Sequence, residues 1–131
     1  MSQENVEIVQ AAFEAWNATG EPDFSIYHPA LVYHPRADEP DPSPHIGRQA
    51  FEPLALGFLE AFSTAKFDVE ELIDAGDLVI ASTVMHGRGS ASGVDVTDAY
   101  VFVYRLRDGL IVECWEYRTR QEALQAAGLS G

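Results

Sequence analysis

Proton transfer is the chemistry that the polar residues of this 131-residue sequence are best equipped to perform, and His34, Glu116, His86 and Asp98 are its candidates. His34 closes the apolar run Leu31-Val32-Tyr33 just ahead of Pro35, and an imidazole with an unperturbed pKa near 6.5 can act as a base at neutral pH. The plainer reading is a histidine hydrogen-bonded to the loop that follows. Glu116 shares an alternating stretch with Val112 and Cys114. Apolar neighbours would disfavour its charge and raise its pKa toward the range of a general acid. Pairing with Arg118 or Arg88 at a strand end is the alternative. His86 and Asp98 are further acid or base candidates if they share that face; otherwise they are a strand-ending histidine and a solvated carboxylate.

Other chemistries fit the sequence less well. His28, His34 and His45, with Asp38 and Asp41 nearby, lack the short spacing on one element that fixes strong metal sites, so no metal is expected. Gly87-Arg88-Gly89 closes a strand instead of leading one into a helix, which is wrong for a phosphate loop; no nucleotide or other cofactor is implied. Cys114 is the single cysteine, so there is no internal disulfide, and it reads as a small core residue. With 21 acidic against 8 basic residues the net charge is −13, a surface that repels nucleic acid and anionic membranes. No apolar stretch approaches a membrane span, and the first residues lack the basic start of a secretory leader; a cytoplasmic protein is expected.

These side chains must be positioned by a chain whose length suits one domain, residues 1–131. Val6, Val9, Phe13 and Trp16 recur at helical spacing over Ser2 to Ala18, with Ser2 as cap and Glu4 in the first turn. A helical turn over Asp23 to Tyr27 and a strand over Leu31 to His34 follow. The segment from Pro35 to His45, with prolines at 35, 40, 42 and 44, reads as a loop. Helical spacing returns through Phe51, Leu54, Phe58 and Phe62. After residue 66 the period becomes two, with turns at 74–77, 87–93 and 107–109 separating strands. Thr119, with Glu122 three positions on, caps a last helix.

This order predicts an α+β domain: a cone of curved, mostly antiparallel sheet with three helices over its concave face. Two registers are open for the last hairpin. A three-residue loop at Arg107-Asp108-Gly109 sets Tyr100 opposite Glu116 and Phe102 opposite Cys114; a two-residue Asp108-Gly109 turn sets Val101 opposite Glu116. The first is preferred because it gives a ligand-sized wall of Tyr100, Phe102 and Tyr104. Phe13, Trp16, Phe58, Val84 and Cys114 complete the expected pocket for a small hydrophobic molecule. Ile111, Trp115 and Tyr117 fall on the outer face by alternation, where a homodimer would cover them.

Glu4 to Asn17, then Glu71-Leu72-Ile73-Asp74-Ala75-Gly76-Asp77, then Arg107 to Tyr117 and Glu122-Ala123-Leu124 resemble the SnoaL-like branch of the nuclear transport factor 2-like superfamily. The resemblance covers nearly the whole chain and implies the cone fold. Its members include polyketide cyclases, ketosteroid isomerases and limonene epoxide hydrolases. By position, His34 stands near the isomerase base, while Ala12 and Phe102 stand where isomerases carry their two oxyanion donors. Glu116 and His86 stand near the two acids of the epoxide hydrolases, whose intervening arginine has no counterpart in Ser82-Thr83-Val84-Met85. Two readings follow: an isomerase, cyclase, dehydratase or hydrolase-like enzyme working without a cofactor, or a ligand-binding or dimerisation module without turnover.

Overall fold

The computed structural model describes residues 2–129, and the side chain of Ser2, the expected cap, lies outside the described residues. The elements are α1 (Ser2–Thr19), a 3-10 turn (Phe24–Ile26), β1 (Tyr27–His34), β2 (His45–Ile46), α2 (Arg48–Ala61), β3 (Phe62–Ala75), β4 (Leu78–Gly89), β5 (Asp95–Arg107), β6 (Leu110–Tyr117) and α3 (Arg120–Ala126). The six strands form one sheet in the order β2-β1-β6-β5-β4-β3, antiparallel throughout except where β1 runs parallel to β6. The α+β architecture and the adjacency of β5 and β6 are as the alternating pattern predicts.

The apolar stripe of α1 buries Val9 and Phe13 in the larger core with Leu31, Phe67, Phe102 and Tyr104. Its C-terminal end is fixed by polar contacts. The Asn17 side-chain amide donates to the carbonyl of Phe67 at 2.7 Å and accepts from the same residue's N–H at 2.9 Å, while the Trp16 indole donates to the carbonyl of Ala65. Asn17 thereby pairs the free edge of β3 as a neighbouring strand would. Gly20, at φ 75°, then turns the chain out of the helix in the left-handed conformation.

Two expectations are corrected by the third helix and the last hairpin. Helices α1 and α2 lie on the concave face, but α3 packs on the opposite one, where Ala123 and Leu124 meet Ile80, Val101 and Val103. The cause lies in β5, whose residues 101–104 are buried on both faces, so that the outer face needs its own cover. The Thr119 hydroxyl accepts from the Glu122 N–H at 3.1 Å and starts α3 two residues after β6 ends.

Neither anticipated hairpin register is the observed one. Asp108 and Gly109, at φ 53° and 79°, make the tight two-residue turn that an Asp-Gly pair favours, setting Leu106 opposite Ile111. Val112 then bulges out of register, so that Arg105 pairs with Glu113, Tyr104 with Cys114 and Phe102 with Glu116. The bulge changes the parity of the strand. Ile111 therefore joins Cys114 and Glu116 on the concave side and is buried in the core, not presented outward with Trp115 and Tyr117.

Candidate functional site

A cavity of about 460 Å³ lies between the helices and the concave face of the sheet, a size suited to a small organic ligand. Of the expected walls, Phe13, Trp16, Phe58, Tyr100, Phe102 and Tyr104 line it. Tyr100, Phe102 and Tyr104 stack along β5 at centroid distances of 6.0 and 5.6 Å. Two expected walls do not line it. Val84 pairs with Ala99 on the opposite face, since β4 turns Thr83 and Met85 inward; Cys114 points inward but is packed into the core behind the surface.

Glu116 is the one candidate acid or base of the sequence reading that the fold brings to this cavity. It is partly buried in the cavity wall, and the Tyr33 hydroxyl donates to its Oε2 at 2.7 Å. Desolvation raises its pKa to about 7; the Tyr33 hydrogen bond opposes the rise, the Glu39 carboxylate adds to it, and Arg36 lowers it again. The carboxyl therefore exchanges between acid and base forms at neutral pH. Burial and the same carboxylate push the Tyr33 pKa up as well, so it stays a phenol and a donor.

His34 does not meet Glu116. Tyr33 pairs with Cys114 and faces inward, which turns the next residue outward: the His34 ring stacks on Trp115 at 5.2 Å and its Nε2 lies 2.7 Å from Glu113. His86 pairs with Thr97 on the outer face and lies 3.0 Å from Asp68. Asp98 sits opposite Met85 on the inner side, so His86 and Asp98 do not share a face. Its carboxylate is engaged by Arg36 Nη2 at 3.1 Å and by the Ala99 N–H.

The same arginine organises the cavity rim. Arg36 is 7% exposed and holds Asp38 through Nε and Nη2, donates from Nη1 to the Ala99 carbonyl, and lies 4.4 Å over the Tyr100 ring. Residues 35–44 are thereby tied across the end of β5, and Pro35, Glu39, Pro40 and Asp41 line the cavity. The loop closes with β2, a two-residue strand the proline content concealed, which places His45 beside Tyr33 with ring centroids 6.1 Å apart.

Tyr33 and His45 are thus among the cavity residues that the sequence analysis does not place there. Alternation within Leu31 to His34 places Tyr33 and His34 on opposite faces but does not say which of the two faces a ligand. Nothing in the sequence marks His45. Tyr27, Tyr100 and Tyr104 also reach the cavity, and among the described residues none of their hydroxyls has a protein hydrogen-bond partner. Burial holds all three protonated, Tyr100 with a pKa of about 12. Ala12 and Phe102 line the cavity as apolar groups.

Sheet and helices together enclose an aromatic chamber with one neutral-range carboxyl. Residues 9–114 match the SnoaL-like domain, and the chain belongs to that family. Its structure is similar to a putative SnoaL-like polyketide cyclase from Jannaschia sp. CCS1, with 22% identity, a TM-score of 0.74, and coverage of 95% of this chain and 91% of that one. It is also similar to IdmH, a putative polyketide cyclase from Streptomyces antibioticus, at 22% identity, TM-score 0.71 and coverage of 92% and 95%. TerC, co-crystallized with polyporic acid, aligns at 15% identity, TM-score 0.72 and coverage of 95% and 98%. Among proteins with curated functions none matches the sequence.

Proposed function

We propose that the protein is an acid/base enzyme that acts, without a cofactor, on a hydrophobic molecule bearing a carbonyl or epoxide. The observation that carries this reading is the Glu116 carboxyl, held near pKa 7 in an aromatic cavity and oriented by Tyr33. As a carboxylate it removes a proton from carbon beside a carbonyl; the electron pair moves onto the carbonyl oxygen, and a free phenol of Tyr27, Tyr100 or Tyr104 donates to the developing oxyanion. The protonated Glu116 then returns the proton elsewhere on the same substrate, the balance required by enolisation, cyclisation or dehydration. Structures described as putative polyketide cyclases, and one co-crystallized with polyporic acid, support a small-molecule substrate.

The test is proton exchange at the α-carbon of the bicyclic ketone 2-tetralone in D2O, followed by NMR. Acceleration that disappears when the cavity is filled by Ala55→Trp supports the enzyme; exchange at the buffer rate with the ketone demonstrably bound favours the binding module. That second reading draws its support from His34, whose place outside the cavity leaves Glu116 without the partner base expected for it.

The reading includes a homodimer and a cytoplasmic setting, with which the lone buried thiol of Cys114 is compatible. Trp115 and Tyr117 remain only partly covered by α3 on the outer face, where a second copy would complete their burial. Sedimentation is expected to give about twice 14.4 kDa, and Trp115→Glu to return the protein to monomer. A wild-type monomer at micromolar concentration overturns this part.

A further inference from the structure

The charges around the cavity are one-sided. Asp23, Glu39 and Asp41 line its exposed end, Glu116 lies in its wall, and His45 is the one basic residue among the described residues that line it. The nearby arginines are already engaged. Arg36 is held by Asp38, Asp98 and Tyr100 behind the wall, and Arg48 by Glu52 and the Tyr27 carbonyl. Asp23 and Asp41 accept hydrogen bonds from Ser25 and Ser43, which lower their pKa values and keep them ionised at neutral pH. An anionic ligand would meet this rim within a molecule of net charge −13.

Below the rim the walls are aromatic faces, whose negative quadrupoles attract cations. One of these wall residues already carries a cation on its ring, the Arg36 guanidinium over Tyr100. We propose that the ligand is a hydrophobic amine: its apolar ring or chain fills the aromatic chamber and its protonated nitrogen sits at the mouth among Glu39, Asp41 and Asp23. The inference rests on the cavity being a small-molecule site and adds the charge and orientation of what it takes. An amine anchored at the mouth points its other end toward Glu116 and the free tyrosine hydroxyls.

Calorimetric titration with three naphthalene probes of one size tests it: 1-naphthylmethylamine, cationic at pH 7, the neutral 1-naphthylmethanol, and the anionic 1-naphthoate. Rim carboxylates and aromatic faces together are expected to favour the ammonium over the alcohol by about tenfold, with naphthoate weakest. High salt narrows the ratio, and E39Q/D41N brings it toward one. Alcohol or naphthoate binding as tightly as the ammonium overturns the proposal, as does a preference that E39Q/D41N leaves intact or failure of all three probes to bind. Loss of the preference while 2-tetralone exchange persists removes this inference alone. Preference without exchange removes the enzymatic reading alone.

Discussion

Glu116→Gln is expected to lower α-proton exchange of 2-tetralone by about 10²-fold or more and, above neutral pH, to stabilise the protein. The amide keeps the size of the side chain and an oxygen to accept from Tyr33, so geometry is preserved while the titrating group is lost. If the carboxylate is the base, the wild-type rate rises with pH through about 7 and the residual rate of the variant does not. Stability moves in the opposite sense. Burial raises the folded pKa of Glu116 to about 7 from an unfolded value near 4.3. The stability contribution is therefore fully present below the unfolded pKa and is lost as pH rises through the folded one, by on the order of 3 kcal/mol in total. The variant carries no such loss. Thermal unfolding from about pH 5 to about pH 9 checks the sign, and parallel pH curves for the two proteins would show that Glu116 is not the buried titrating group.

The second large effect is expected at Arg36. Arg36→Met removes a nearly buried guanidinium from two carboxylates, a carbonyl and an aromatic face. Asp38 and Asp98 keep 40% and 36% exposure, so the loss falls below that of a fully buried pair, at about 2 kcal/mol. A further result separates a site role from packing. Arg36 lowers the pKa of Glu116, so its removal moves the midpoint of the rate profile above 7. Arg36→Lys restores charge without the planar fork and is expected to recover the midpoint better than the melting temperature. An unmoved midpoint in Arg36→Met would confine the residue to holding the loop.

The parts of the fold legible in the sequence are those with long periods. The helices α1 and α2 and the strands β3 to β6 each repeat an apolar position often enough to declare their type, and Thr119 and Asp108-Gly109 mark their ends. Facing was harder to read. His34 and Tyr33 differ by one position, and choosing between them requires the parallel pairing of β1 with β6, a contact between residues some 80 positions apart that no local pattern encodes. His86 was misplaced for the same reason, since its face depends on how residues 90–94 return the chain. The aromatic wall opposite Glu116 was anticipated, but through a register that does not occur. His45 was hidden by prolines, because two residues of strand are too short to show alternation.

Val112 has a consequence beyond the facing of Glu116. It has no partner on β5, so it acts as slack: from the turn outward, the pairing of Leu106 with Ile111 and of Arg105 with Glu113 would be the same in a strand one residue shorter. Deleting Val112 therefore leaves Cys114 and Glu116 on the cavity side and removes only the local bend. Deleting Trp115 instead, with the bulge kept, would rotate everything beyond it. In this strand the chamber's chemistry is written partly as a count of residues, and Val112 is where that count tolerates subtraction.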